Sequence, residues 1–229
     1  MHGLIRTLAH LIQTDKDLNK ERPMNDLPDR FPRGWFVLGH QRDFPIGETN
    51  TIYGFDRKIQ VQRLEDGSIK IDLGNTDEWP ILEINQMVMV WHDAEKKEPD
   101  FLPKKIEECY SDEWSDYGMA SFLVKNNCRE LIDNMADKGH FGPVHQAPFE
   151  GFWNEAKDHT YTQEMTADSP ILGRDLFSQA TYEGPAYMTT YMSAIHDGNK
   201  VESRLAVTHI PLTLTSFQIN FGVMVKKVP

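Results

Sequence analysis

Only two cysteines, Cys109 and Cys128, occur among the 229 residues, and they form no C-x-x-C pair. That excludes a disulfide framework and a cysteine-built zinc site, and it makes the reducing cytoplasm the expected location. Positive charge is also short: 24 Lys and Arg stand against 35 Asp and Glu, for a net charge of −11, and the basic residues are scattered. No nucleic-acid partner is expected of such a surface. Apolar runs stay well under the ~18 residues of a bilayer-crossing helix, and the start, MHGLIRTLAHLIQTDKDLNK, is too charged for a secretory signal. No membrane span is expected. Internal repeats and low-complexity tracts are missing as well.

What remains is core-forming. Hydrophobic residues make up 39% of the chain, with 12 Phe, 7 Tyr and 5 Trp, which excludes disorder as a general description. At ~150 residues per domain, the length allows one large domain or a small one beside a medium one. Leu4, Ile5, Leu8, Leu11 and Ile12 recur at helical spacing, and a proline-rich connector follows over 21–34. Short β-rich runs (WFVLG, NTIYGF, KIQVQRL, SIKIDL, QMVMVW) separated by turn signals then predict a small antiparallel unit. The expected division is 1–34 for helix and connector, 35–108 for the β-rich unit, and 109–229 for the rest.

Within the last part, Asn127 and Glu130 have the spacing of a capping box, and Leu131, Ile132 and Met135 give the predicted helix an apolar face. The helix is expected to run to Gly142-Pro143, because proline breaks the hydrogen-bond ladder. Strands are expected over 159–166, 176–182, 186–195, 201–209 and 211–225. In the last of these, Phe217, Ile219, Phe221, Val223 and Val225 alternate with Ser216, Gln218, Asn220 and Gly222. One helix over a long antiparallel sheet is an α+β design. An apolar cavity is expected between the helix around Met135 and the sheet face bearing Phe217, Ile219 and Phe221.

The stretch NCRELIDNMADKGHFGPVHQAP, residues 127–148, concentrates the chemistry: Asn134, Asp137, His140 and His145 follow at intervals of 3, 3 and 5. Spacings of three place the first three along one side of a helix, and the Gly142-Pro143 break lets the chain turn His145 back towards His140. Two imidazoles and a carboxylate with open positions suit non-haem iron. Two histidines five apart also arise by chance, and spacing alone favours buried or surface histidines over a metal site. His92 reads as a strand-end surface residue, and His159, His196 and His209 stand alone. Cys128 reads as a small buried hydrophobe.

N-x-x-D-x-x-H-x-x-x-x-H resembles the mononuclear-iron motif of Rieske-type ring-hydroxylating oxygenases. RFPRGWFVL (30–38) and NQMVMVWHD (85–93) resemble the segments that begin and end the Rieske domain in that family. NNCRELIDNMADKGHF and the terminal VMVKKVP look most like the oxygenase components of 3-ketosteroid 9α-hydroxylases. The resemblance implies a helix-grip catalytic domain after a Rieske-like domain, His140 and His145 as iron ligands, Asp137 as the link to a neighbouring subunit's cluster, and Asn134 near the iron. A carboxylate bonded to a ligating imidazole also fixes its tautomer.

Two departures shape the functional expectation. The family holds its [2Fe–2S] cluster with C-x-H and C-x-x-H pairs, and the corresponding stretch here is DLGNTDE, residues 72–78, so no cluster is expected. The family's third, carboxylate iron ligand lies beyond the segment resembling VMVKKVP, and residues 203–229 contain no Asp or Glu. It must come from 150–202 or another chain, and without it one Fe(II) would be held weakly. The expectation is a degenerate or partner-dependent oligomeric subunit that binds a steroid-like ring compound or pairs with a full-length oxygenase. The alternative is a competent iron hydroxylase component fed electrons by a separate Rieske protein.

Overall fold

The computed structural model of the chain describes residues 29–140, 142–143, 149–170 and 173–227. The helix expected through Leu4 to Ile12 lies outside them. The β-rich unit contains β1 (Gly34–His40), β2 (Thr49–Gly54), β3 (Arg57–Arg63), β4 (Ile69–Asp72), β5 (Ile81–Ile84) and β6 (Met87–His92). They form two three-stranded antiparallel sheets, ordered β1-β6-β5 and β2-β3-β4.

The unbroken apolar run of β6 has a tertiary cause. Val88 and Val90 join Phe36, Leu38, Ile59 and Val61 in one core. Met87, Met89 and Trp91 join Trp35, Val37, Tyr187, Ala206 and Met224 in another. Successive side chains of a strand point to opposite faces, so a strand lying between two cores must be apolar throughout.

The remaining strands are β7 (Gly118–Val124), β8 (Phe149–Lys157), β9 (Thr160–Ser169), β10 (Gly173–Glu183), β11 (Tyr187–His196), β12 (Asn199–Thr213) and β13 (Ser216–Val225). They make one antiparallel sheet in the order β7-β13-β12-β11-β10-β9-β8. One of its faces packs on the β-rich unit through Tyr187, Ala206 and Met224. The other carries α1 (Arg129–Ala136). The fold is a mostly-β α+β design, as expected. β5, β7 and β8 were not anticipated, since β7 and β8 are sheet edges with partly exposed faces and weak alternation. The β12–β13 turn also falls later than expected, because Pro211 belongs to β12 at a register shift, and its carbonyl accepts the Phe55 N–H at 2.7 Å.

The two units meet closely at Gly34. Its φ is +147°, and a Cβ there would lie 2.2 Å from Pro185 Cδ. Gly34→Ala is expected to lower stability by about 1–3 kcal/mol, read as a shift in the urea midpoint. An unchanged midpoint would count against this contact. Among the described residues no helix is long and apolar enough to cross a membrane.

Candidate functional site

The start of α1 is fixed by Asn127. Its Oδ1 accepts the Arg129 N–H at 3.0 Å, and its Nδ2 donates to Leu214 O at 2.7 Å, tying the helix to the β12–β13 turn. The Asn127 N–H donates to Asn126 Oδ1 at 2.8 Å. The apolar face then packs solidly. Cys128 and Leu131 meet Val207, Phe217 and Ile219, and Met135 with Ile132 meets Ala180, Tyr182 and Tyr161.

The end of α1 corrects the sequence reading. The helix stops at Ala136 rather than Gly142-Pro143, and Asp137 is extended at φ −83°, ψ 95°. Asp137 Oδ1 accepts the Gly139 N–H at 2.8 Å, after which 138–140 form a 3-10 turn. A short acidic side chain that bonds a nearby amide competes with the helical ladder, and glycine favours the competitor. Asn134, Asp137 and His140 therefore do not share one helical face. Asp137 is exposed. The side chains of Asn134 and His140, and the whole of His145, lie outside the described residues, so the expected convergence of the two imidazoles falls there too.

Gln163 is the residue that sequence reasoning missed. It is buried on β9 and its Nε2 donates to Met135 O, one of the carbonyls a helix end leaves unpaired. Its signal was a polar interruption on the face formed by Tyr161, Met165 and Ala167.

Where a cavity was expected, Met135 packs on Ala180 and Tyr182, and Leu131 on Val207, Phe217 and Ile219. A cleft of about 360 Å³ opens between Phe31 and Pro32, the Asp93–Glu95 turn, Cys128, Ile132 and Leu214, at the opposite end of α1. Arg33 holds its rim by donating to Asp93 at 2.8 Å and Asp100 at 3.0 Å.

His92 is a second correction. It is buried, its ring stacks on Phe55 at 4.7 Å and stands edge-on to Trp79 at 5.1 Å, and Nδ1 lies 2.8 Å from Pro32 O. Burial lowers its pKa. Phe55 and Trp79 come from distant strands and loops, so nothing local to VWHD announced the enclosure. The two thiols sit in separate cores. Cys109 lies 3.5 Å from the Tyr117 hydroxyl, and Cys128 lies against α1's sheet contacts. Burial raises both pKa values, Cys128 to about 11, which keeps them protonated and poor metal ligands.

Residues 90–229 match the family of the 3-ketosteroid 9alpha-hydroxylase C-terminal domain. The chain belongs to that family. The oxygenase component of 3-ketosteroid-9-alpha-monooxygenase from Rhodococcus rhodochrous is 29% identical over 262 aligned residues, covering 88% of this chain and 67% of the relative. Cholesterol 7-desaturase from Hemicentrotus pulcherrimus is 25% identical, covering 75% of this chain and 54% of its own. The crystal structure of dicamba monooxygenase with non-haem iron and dicamba has a TM-score of 0.64 at 14% identity, over 85% of this chain and 76% of that one. That last likeness shows the fold. This 3-ketosteroid hydroxylase-family chain is thus a relative of Rieske-type oxygenase components, an oxidoreductase lineage, with the family match covering β7 to β13 and α1.

Proposed function

We propose that this chain is a partner-dependent relative of the steroid-hydroxylating oxygenase components: it holds a hydrophobic ring compound of the steroid class and depends on a full-length Rieske oxygenase subunit for electrons. The observation that carries this reading is the placement of the thiols. A Rieske cluster needs two cysteines and two histidines around one pair of irons. Cys109 and Cys128 are the only cysteines, they lie in different cores, and both are held as thiols. The residues present do not fit a [2Fe–2S] cluster, so no electron step is assigned to this chain. Residues 35–108 read as the remnant of a cluster domain, and 109–229 as the catalytic-like part.

The mononuclear iron is different, because the donor types retained in the motif suit it. His140 and His145 are its proposed ligands, and bound there, Fe(II) would supply dioxygen activation. Asp137, exposed at the end of α1, is the proposed contact with the partner's cluster domain, and Asn134 the proposed neighbour of the iron. Gln163 fixes the helix end from which both depart. A hydrophobic ring ligand suits the relatives that are named for steroid and cholesterol chemistry.

The test is to purify the chain and assay steroid hydroxylation with Fe(II) and a reductase, alone and mixed with a full-length oxygenase. We expect no cluster signal in electron paramagnetic resonance and no product from the chain alone. Product should form in the mixture, and His140→Ala should remove this chain's contribution. Hydroxylation by the chain with a separate Rieske protein, and no oxygenase partner, would establish the alternative of a competent iron component. A mixed complex indifferent to His140→Ala and Asp137→Ala would reduce the chain to a scaffold.

A further inference from the structure

We infer that β7 is a docking edge for a second copy of this chain, joined strand to antiparallel strand about a two-fold axis near Ser121. Among the described residues β7 pairs with β13 on one side and with no strand on the other. An open row of backbone donors and acceptors is a template for pairing, and folded chains blunt such edges with charge, proline, bulges or shortness. The far edge of the same sheet is blunted in this way. β8 carries Glu150, Glu155 and Lys157, and its register shifts between Phe149 and Gly151. β7 has none of these devices. Its sequence, GMASFLV, is seven residues long, uncharged and free of proline, and it pairs without a shift from Gly118 opposite Val223 to Val124 opposite Phe217. Leu123 on this edge is 60% exposed.

The backbone groups that leave the edge can be placed. Tyr117 O, just before β7, accepts from Arg42 at 2.6 Å and so turns away from β13. In an antiparallel pair alternate residues bond the neighbouring strand and those between them point away, so Met119, Ser121 and Leu123 present their N–H and C=O groups outward with Tyr117.

The outward row is complementary to a copy of itself. Two chains related by a two-fold axis make every contact twice. With Ser121 opposite the partner's Ser121, Met119 meets the partner's Leu123, Ala120 the partner's Phe122 and Gly118 the partner's Val124. Directly opposed apolar side chains are the stabilising unit of a sheet. Charge selects the direction. Asp116 precedes the strand and Lys125 follows it, and both are exposed. The antiparallel copy brings the partner's Lys125 opposite Tyr117, beside Asp116 and within reach of a long side chain, whereas a parallel copy would set lysine against lysine. In a chain of net charge −11, a strand with no acid of its own also spares the joint a contact of acid on acid.

Sedimentation velocity of the purified chain over a wide concentration range is the test. Two seven-residue strands bury less than a standard interface, so a reversible dimer with a dissociation constant on the order of micromolar is expected. Leu123→Lys should weaken it by more than about ten-fold, since symmetry counts the lost contact and the added charge twice. Trp153→Lys, on the exposed β8 edge, should dimerise as wild type does. Asp116→Lys and Lys125→Asp should each weaken self-association, and mixing the two variants should restore it, because each then meets an opposite charge. Hydrogen exchange should show the Met119, Ser121 and Leu123 amides protected as the dimer fills, and monomer urea curves of all four variants should match the wild type. A monomer at every concentration would overturn the inference. So would a dimer that Trp153→Lys disrupts and Leu123→Lys leaves intact, exchange at those three amides that ignores concentration, or a mixture that associates no better than its components.

Discussion

Asn85→Ala is expected to destabilise the protein by about 3–6 kcal/mol, which approaches the whole stability of an ordinary domain. Asn85 is fully buried in the β5–β6 turn. Its Nδ2 donates to Lys104 O at 2.8 Å and to the Tyr187 hydroxyl at 2.9 Å, its Oδ1 accepts the Ile106 N–H at 2.8 Å, and its own N–H donates to the Tyr110 hydroxyl at 2.8 Å. One side chain thus ties the β-rich unit, the connector to β7 and the large sheet together. Truncation strands three polar groups out of reach of water, at about 1–3 kcal/mol for each that finds no new partner. The residue also has φ +53°, a conformation asparagine tolerates and alanine does not, at about 1–2 kcal/mol. Urea denaturation of Asn85→Ala and Asn85→Gly would separate the terms, because glycine keeps the backbone and loses only the side-chain bonds. A loss below about 1 kcal/mol in both variants would mean the latch contributes nothing.

His209→Leu is expected to do the reverse, raising stability at neutral pH by about 1–3 kcal/mol and removing an acid sensitivity. The ring of His209 is 0% exposed, lies edge-on to Phe217 at 5.5 Å and Phe36 at 6.3 Å, and has no hydrogen-bond partner for either nitrogen among the described residues. Burial alone pushes its pKa down to about 3. Below the ordinary value near 6.5, the unfolded chain takes up a proton that the folded chain refuses. Stability therefore falls by about 1.4 kcal/mol per pH unit from about pH 6.5 until the folded ring itself titrates near pH 3. At pH 5 the loss is about 2 kcal/mol. Carboxylates titrate in the same range, so the quantity to measure is the gap between wild type and His209→Leu at each pH. The gap should widen as pH falls, and parallel curves would refute the account.

Much of this architecture was legible because local pattern and tertiary role coincide. WFVLG, NTIYGF and KIQVQRL are β-rich runs that end at turn residues, and they became β1, β2 and β3. The apolar stripe of Leu131, Ile132 and Met135 became the sheet-facing side of α1. β7 and β8 escaped notice because an edge strand faces solvent on more sides, and its composition relaxes accordingly. His92 was misjudged because it is enclosed by the rings of Phe55 and Trp79, which turns and loops elsewhere in the chain bring to it.

The sequence by itself determined the family and the donor types. Cysteine count, the N-x-x-D-x-x-H-x-x-x-x-H spacing and the acid-free last 27 residues are properties of composition and order, which no folding alters. Only the folded structure decided where α1 ends, since the Asp137 side chain accepting from Gly139 and an amide arriving from β9 settle a competition that helix periodicity leaves open. It alone decided, too, which residues of the large sheet lie under the helix. A strand gives alternate residues to opposite faces, but which face meets α1 depends on pairing register, and register is fixed by partners that may be a hundred residues away.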